Sequence, residues 1–138
     1  MRLLSVFILL ISSSACIAQP SNVASTSGEA DCSVISVSPQ LDACVKMKML
    51  NSNEKLLAEM ISFEKRTKEL YAPDPKLGKE LIDTVREAQD AWLNFREKNC
   101  NVEAFEIEKG APAYITTVNN CIILMNVERI KVLKKLLQ

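Results

Sequence analysis

Ala88-Gln89-Asp90-Ala91-Trp92-Leu93-Asn94-Phe95-Arg96-Glu97-Lys98-Asn99-Cys100 is the stretch whose reading decides the fold. It reads as a helix and carries the chain's only tryptophan. Trp92, Arg96 and Cys100 are spaced i, i+4, i+8, which aligns them along one helix face. A second cysteine, Cys121, follows across a Gly110-Ala111-Pro112 break. Together these features predict a helical hairpin stapled by a disulfide outside the cytoplasm.

The other cysteines extend that reading. Cys16 falls in an N-terminal leader, which leaves Cys32, Cys44, Cys100 and Cys121, an even number. Two disulfides are expected, and four cysteines allow three connectivities. With a turn centred on Gly110 and Ala111, Cys100 and Cys121 each lie about ten residues from it, at the same height in an antiparallel hairpin. Cys32 and Cys44 then remain to staple an extended leading segment, Asp31 to Val37, onto the first helix. Each bridge should stabilise by roughly 3 kcal/mol through the unfolded state.

Three helices account for the rest. Ser38-Pro39 gives an N-cap followed by proline, so the first helix runs from about Pro39 to Leu70. Asn51-Ser52-Asn53 is a weak spot where it could kink, and Leu56, Leu57, Met60, Ile61 and Phe63 supply its buried face. Pro73 and Pro75 end it, and Asp74-Pro75 starts the second helix. There Leu81, Val85, Ala88, Trp92, Phe95 and Val102 follow steps of four and three, the pattern of a packed seam that stops near Gly110. The third helix runs from about Ala113 to Leu137, with Ile115, Val118, Ile122, Met125, Val132 and Leu136 on one stripe. Arg129 interrupts that stripe, and a buried arginine needs a partner such as Gln89 or Glu103. The predicted fold is all-α, an antiparallel three-helix bundle with bridges Cys32–Cys44 and Cys100–Cys121.

Residues 1–18 read as an export signal: Arg2, then an apolar core from Leu3 to Ile11, then a small-residue tail. That core is too short to span a bilayer, which needs about 20 apolar residues. Two processing routes fit it, cleavage after Ala18 or acylation of Cys16 within Ser13-Ser14-Ala15-Cys16. Residues 19–37 form a flexible and then extended segment whose Ser/Thr/Gly/Pro tract suits a tether. Residues 38–138 form the helical domain. The full chain has net charge +0, and such neutrality argues against a nucleic-acid partner. Beyond residue 30 only Gly78 and Gly110 remain, which favours helices over a turn-rich β fold.

The absence of histidine excludes a Ser-His-Asp triad and histidine metal sites, and no cofactor or metal is expected. Glu97, Glu103, Glu106 and Glu108 read as solvated helix faces rather than a glycosidase pair, so the chain is not read as an enzyme. Trp92 and Arg96 are residue types found at binding hot spots. Their place on the apolar stripe instead turns them inward, with Arg96 stacked on Trp92 or paired with a neighbouring helix. The turn has a better claim to bind a partner. Gly110, Ala111, Pro112 and Tyr114 form a small, disulfide-held apex with Glu106 and Glu108 on its flank, suited to entering another protein's cleft. Its bland alternative is an ordinary connection between helices.

Ala88-Gln89, Trp92, Arg96 and Cys100, a glycine-containing turn, Cys121, then Arg129 and Leu133 resemble the signature of the LprI-like lysozyme inhibitor family. The likeness is strongest from Leu81 to Leu137, and Cys32 and Cys44 fit the earlier part of the pattern. The chain departs from it in the middle of the first helix, at Leu56-Leu57-Ala58-Glu59-Met60, and at the turn. The resemblance implies an exported, periplasmic or envelope protein, often lipid-anchored, that binds a protein partner such as lysozyme. In it Gln89, Trp92, Arg96 and Arg129 are the structural motif; the candidate contacts, Glu106, Glu108, Gly110, Ala111, Pro112 and Tyr114, come from the reading of the turn itself. A non-inhibitory envelope interaction module of the same fold is the alternative reading.

Overall fold

The protein is described by a computed structural model covering residues 31–137. The expected export signal, Cys16 and the tract to residue 30 lie outside the described residues. A single 3-10 turn, Cys32–Val34, precedes three helices: α1 (Ser38–Leu70), α2 (Pro75–Glu103) and α3 (Pro112–Lys135). The bundle runs up, down and up, with α3 packed most extensively along α1 and α2 leaning less closely on α1. At 33 residues, α1 is about 50 Å long by the helical rise. No described helix is long and apolar enough to cross a membrane.

Both disulfides form as expected. Cys32–Cys44 closes at 2.06 Å and Cys100–Cys121 at 2.03 Å, with Cα separations of 5.8 and 5.5 Å. The leading segment is not wholly extended, because Asp31 accepts from the Ser33 amide at 3.0 Å and caps a short 3-10 turn. Val37, not Ser38, is the N-cap of α1: its carbonyl accepts from the Leu41 amide at 3.0 Å, which makes Ser38 the first helical residue. Asp74 caps α2 as predicted, accepting from the Leu77 amide at 3.1 Å, with Pro75 behind it. Where α2 leaves the turn, Gly78 is required. A Cβ there would lie 2.8 Å from the Tyr71 Cβ.

The core keeps part of each predicted stripe and moves the rest over by one helical row. Leu56, Met60 and Leu133 form its centre, with Val85, Trp92, Leu93, Ile130 and Leu136 packed against them. Phe63 is buried as expected, but Leu57 and Ile61 are exposed. On α2 the buried row is Gly78, Ile82, Gln89, Arg96 and Cys100, which leaves Ala88, Phe95 and Val102 in solvent. On α3 it is Asn119, Cys121, Asn126 and Leu133, with Ile115 and Val132 exposed. In each helix part of the buried row is polar, so a hydrophobicity pattern points to the row beside it.

The weak spot in α1 does not interrupt the helix. Ser52 and Asn53 bond inward instead of capping a restart. The Ser52 hydroxyl donates to the Met49 carbonyl at 2.7 Å, and both residues meet Asn126 of α3. At the other end of the bundle, Arg66 donates to Glu59 at 3.0 Å and to the Leu133 carbonyl at 3.2 Å, tying α1 to the last turns of α3.

Candidate functional site

Two constellations compete for the role of site, and the first faces inward. Asn126, fully buried on α3, donates to the Ser52 hydroxyl and to Asn53 Oδ1, both at 2.9 Å, and accepts from Arg96 Nη1 at 2.7 Å. Arg96 Nη1 also donates to Asn53 Oδ1 at 3.1 Å, so one nitrogen joins all three helices. The guanidinium carbons of Arg96 and Arg129 each lie 5.6 Å from the Trp92 ring centroid, within cation–π range. Of the two partners considered for Arg129, Gln89 takes it: Arg129 Nε donates to Gln89 Oε1 at 2.8 Å. Glu103 is exposed and accepts only a long bond from Asn99 at 3.4 Å.

Burial pushes the Arg96 pKa down from the usual guanidinium value, and Glu97 partly opposes this. Desolvation lowers that of Arg129 in the same direction. Neither shift brings a proton within reach of solution chemistry, because arginine is effectively always charged. No group of side chains able to hold a metal ion occurs among the described residues, and all four described cysteines are in bridges. This constellation can hold the three helices in register.

The second constellation is the connection from α2 to α3, and it differs from the predicted turn. α2 ends at Glu103, seven residues before Gly110, so Glu106 and Glu108 lie on the loop itself rather than on a helical flank. No glycine or proline marks that end. The chain leaves the helix through tight turns: the Phe105 amide donates to the Val102 carbonyl at 3.1 Å, and the Ile107 amide to Ala104 at 3.0 Å. Ala104 is fully buried and Ile107 half-buried, which seats the loop on the bundle.

Further along, the Ala111 amide donates to the Glu108 carbonyl at 3.1 Å, with Gly110 at φ +90°. That is a backbone conformation glycine adopts without strain. Pro112 opens α3, and Tyr114 in its first turn donates its hydroxyl to Asn101 Oδ1 at 2.7 Å, bolting α3 to α2. Glu106, Glu108, Gly110 and Pro112 are exposed, while Ala111 and Tyr114 are half-buried. Sequence reasoning passed over Phe105, which sits between Glu103 and Glu106 and is 83% exposed. The signal was available: a lone phenylalanine among carboxylates, off the predicted stripe.

A family model described as lysozyme inhibitor LprI matches residues 28–133. The chain belongs to this family. The match takes in both disulfides, the inner constellation and the whole α2–α3 connection. No curated protein and no solved structure matches the chain. The family's name is that of an inhibitor of lysozyme, so a protein partner is the general expectation, and two disulfides fit an oxidising compartment outside the cytoplasm.

Proposed function

We propose that the protein is an exported inhibitor that binds a muramidase and blocks its cleft with the loop between α2 and α3. One observation carries the reading: an exposed, acidic loop is tied down on both sides within a chain of the LprI family. Cys100–Cys121 fixes its base, Tyr114 to Asn101 locks its flank, and three turn bonds order its backbone. Such a loop has little conformational entropy to lose on binding. Glu106 and Glu108 would meet the basic rim of the enzyme, and the small apex Gly110-Ala111-Pro112 with Tyr114 would approach the cleft. Acylation of Cys16 would hold the inhibitor at the envelope; the mass of the mature N-terminus distinguishes that from cleavage after Ala18.

The test is a lysozyme turbidity assay on bacterial cell walls with the purified, oxidised protein. Inhibition is expected, and replacing Gly110 to Tyr114 with a Gly/Ser linker should weaken it at least ~10-fold, about one hot-spot contact. No inhibition at micromolar excess would remove the inhibitor reading. Inhibition unchanged by the linker would remove only the placement of the contact.

A further inference from the structure

Phe105 has the highest exposure of any large apolar side chain among the described residues, at 83%. Its neighbours in the chain hold it there. Ala104 is fully buried on one side, Ile107 half-buried on the other, and the Phe105 amide itself is bonded to Val102. Two more apolar groups continue the surface. Phe95 and Val102, 57% and 70% exposed, are seven residues apart and share one face of α2, and Phe105 follows Val102 by one tight turn. Glu103, Glu106 and Glu108, all exposed, lie within three residues of Phe105 along the chain, against the single cation Lys109 in the segment 103–109.

We infer that Phe105 is the anchor of the muramidase contact, inserted into a saccharide-binding subsite of the enzyme's cleft while the three carboxylates pair with its basic rim. The inference rests on the inhibitor reading above and moves its centre from the Gly110 apex to the α2 side of the loop. An exposed aromatic ring with a charged rim is the anatomy of a binding hot spot. The occupant follows from two features. The acidic rim selects a basic partner by charge complementarity. The ring is flat, apolar and close in size to a pyranose, so it suits a site whose walls stack on sugar faces. Pre-ordering by the disulfide and turn bonds means that the ring is presented without a folding cost.

The experiment is titration calorimetry of the oxidised full-domain protein against a c-type lysozyme, with and without saturating tri-N-acetylchitotriose. Phe105→Ala truncates a side chain that is largely in solvent, and an unchanged thermal midpoint verifies its fold. Leu57→Ala, at an apolar residue 62% exposed on α1, serves as the control. Phe105→Ala should weaken binding by at least ~30-fold and Leu57→Ala by less than ~2-fold, and the saccharide should displace the wild-type protein. Wild-type binding that Phe105→Ala leaves within ~3-fold overturns the anchor and leaves the inhibitor reading standing. Wild-type binding unaffected by the saccharide overturns the subsite. Failure of the wild-type protein to bind or inhibit c-, g- or i-type lysozyme sinks the inhibitor reading and the anchor together.

Discussion

Arg96 is a cation with 6% of its surface exposed, and the carboxylate it pairs with, Glu97 at 3.8 Å, is itself mostly in solvent. Its stability in the core comes from geometry instead. The planar guanidinium lies over Trp92 while one nitrogen bonds Asn126 and Asn53, and only Nε lacks a partner. A lysine cannot stack and fork in the same way, and its compact ammonium is harder to strip of water. Arg96→Lys should therefore cost about 2–3 kcal/mol, the loss of hydrogen bonds from a charged donor. Asn126→Ala should cost a similar amount, since it removes the shorter of that nitrogen's two bonds together with the bonds Asn126 donates to Ser52 and Asn53. Urea unfolding of the oxidised single and double variants tests this: the double variant should lose at least ~1 kcal/mol less than the two singles added together. Additive losses would show that the two side chains stabilise the bundle independently.

At the scale of elements, the turn between α1 and α2 depends on Gly78. Helix propensity alone favours alanine over glycine by about 1 kcal/mol. The Cβ that alanine adds would meet the Tyr71 Cβ at 2.8 Å, and Tyr71 is held where its amide bonds Thr67 at 2.9 Å. Overpacking of this kind costs about 1–3 kcal/mol, so Gly78→Ala should lower stability despite the better propensity. A raised thermal midpoint would show that the turn yields freely.

Both the helix count and the two bridges were legible in the sequence, because they rest on spacing, proline positions and cysteine arithmetic. So was the alignment of Trp92, Arg96 and Cys100. The seam was not. At Ser52, Gln89, Arg96, Asn119 and Asn126 the buried residues are polar, while Leu57, Ile61, Phe95 and Val102 are left in water. Hydrophobic periodicity assumes that burial and apolarity coincide, and in this bundle the polar network separates them. The end of α2 was hidden for a different reason: Ala104 and Ile107 end the helix by turning inward, which no glycine or proline announces.

At the scale of the whole molecule, the topology gathers its restraints at one end. The Thr116 hydroxyl donates to Asp42 at 2.6 Å, placing the start of α3 beside the start of α1. Both disulfides and the acidic loop therefore share that end of the bundle. The chain as a whole has net charge +0, so it offers no long-range field to draw in a basic partner. On the proposed contact, attraction comes from Glu103, Glu106 and Glu108, and it acts only within about a Debye length, ~10 Å at 0.1 M salt. Replacing all three with glutamine removes three negative charges and turns the neutral chain cationic. Its association rate with a basic lysozyme should fall about 10-fold at ~20 mM salt, and the deficit should close to within ~2-fold by ~0.5 M. Dissociation should change less, because rim charges govern encounter while a buried anchor governs residence. Stopped-flow association across that salt series measures both rates; an association rate equal to wild type at low salt would mean that these carboxylates do not face the partner.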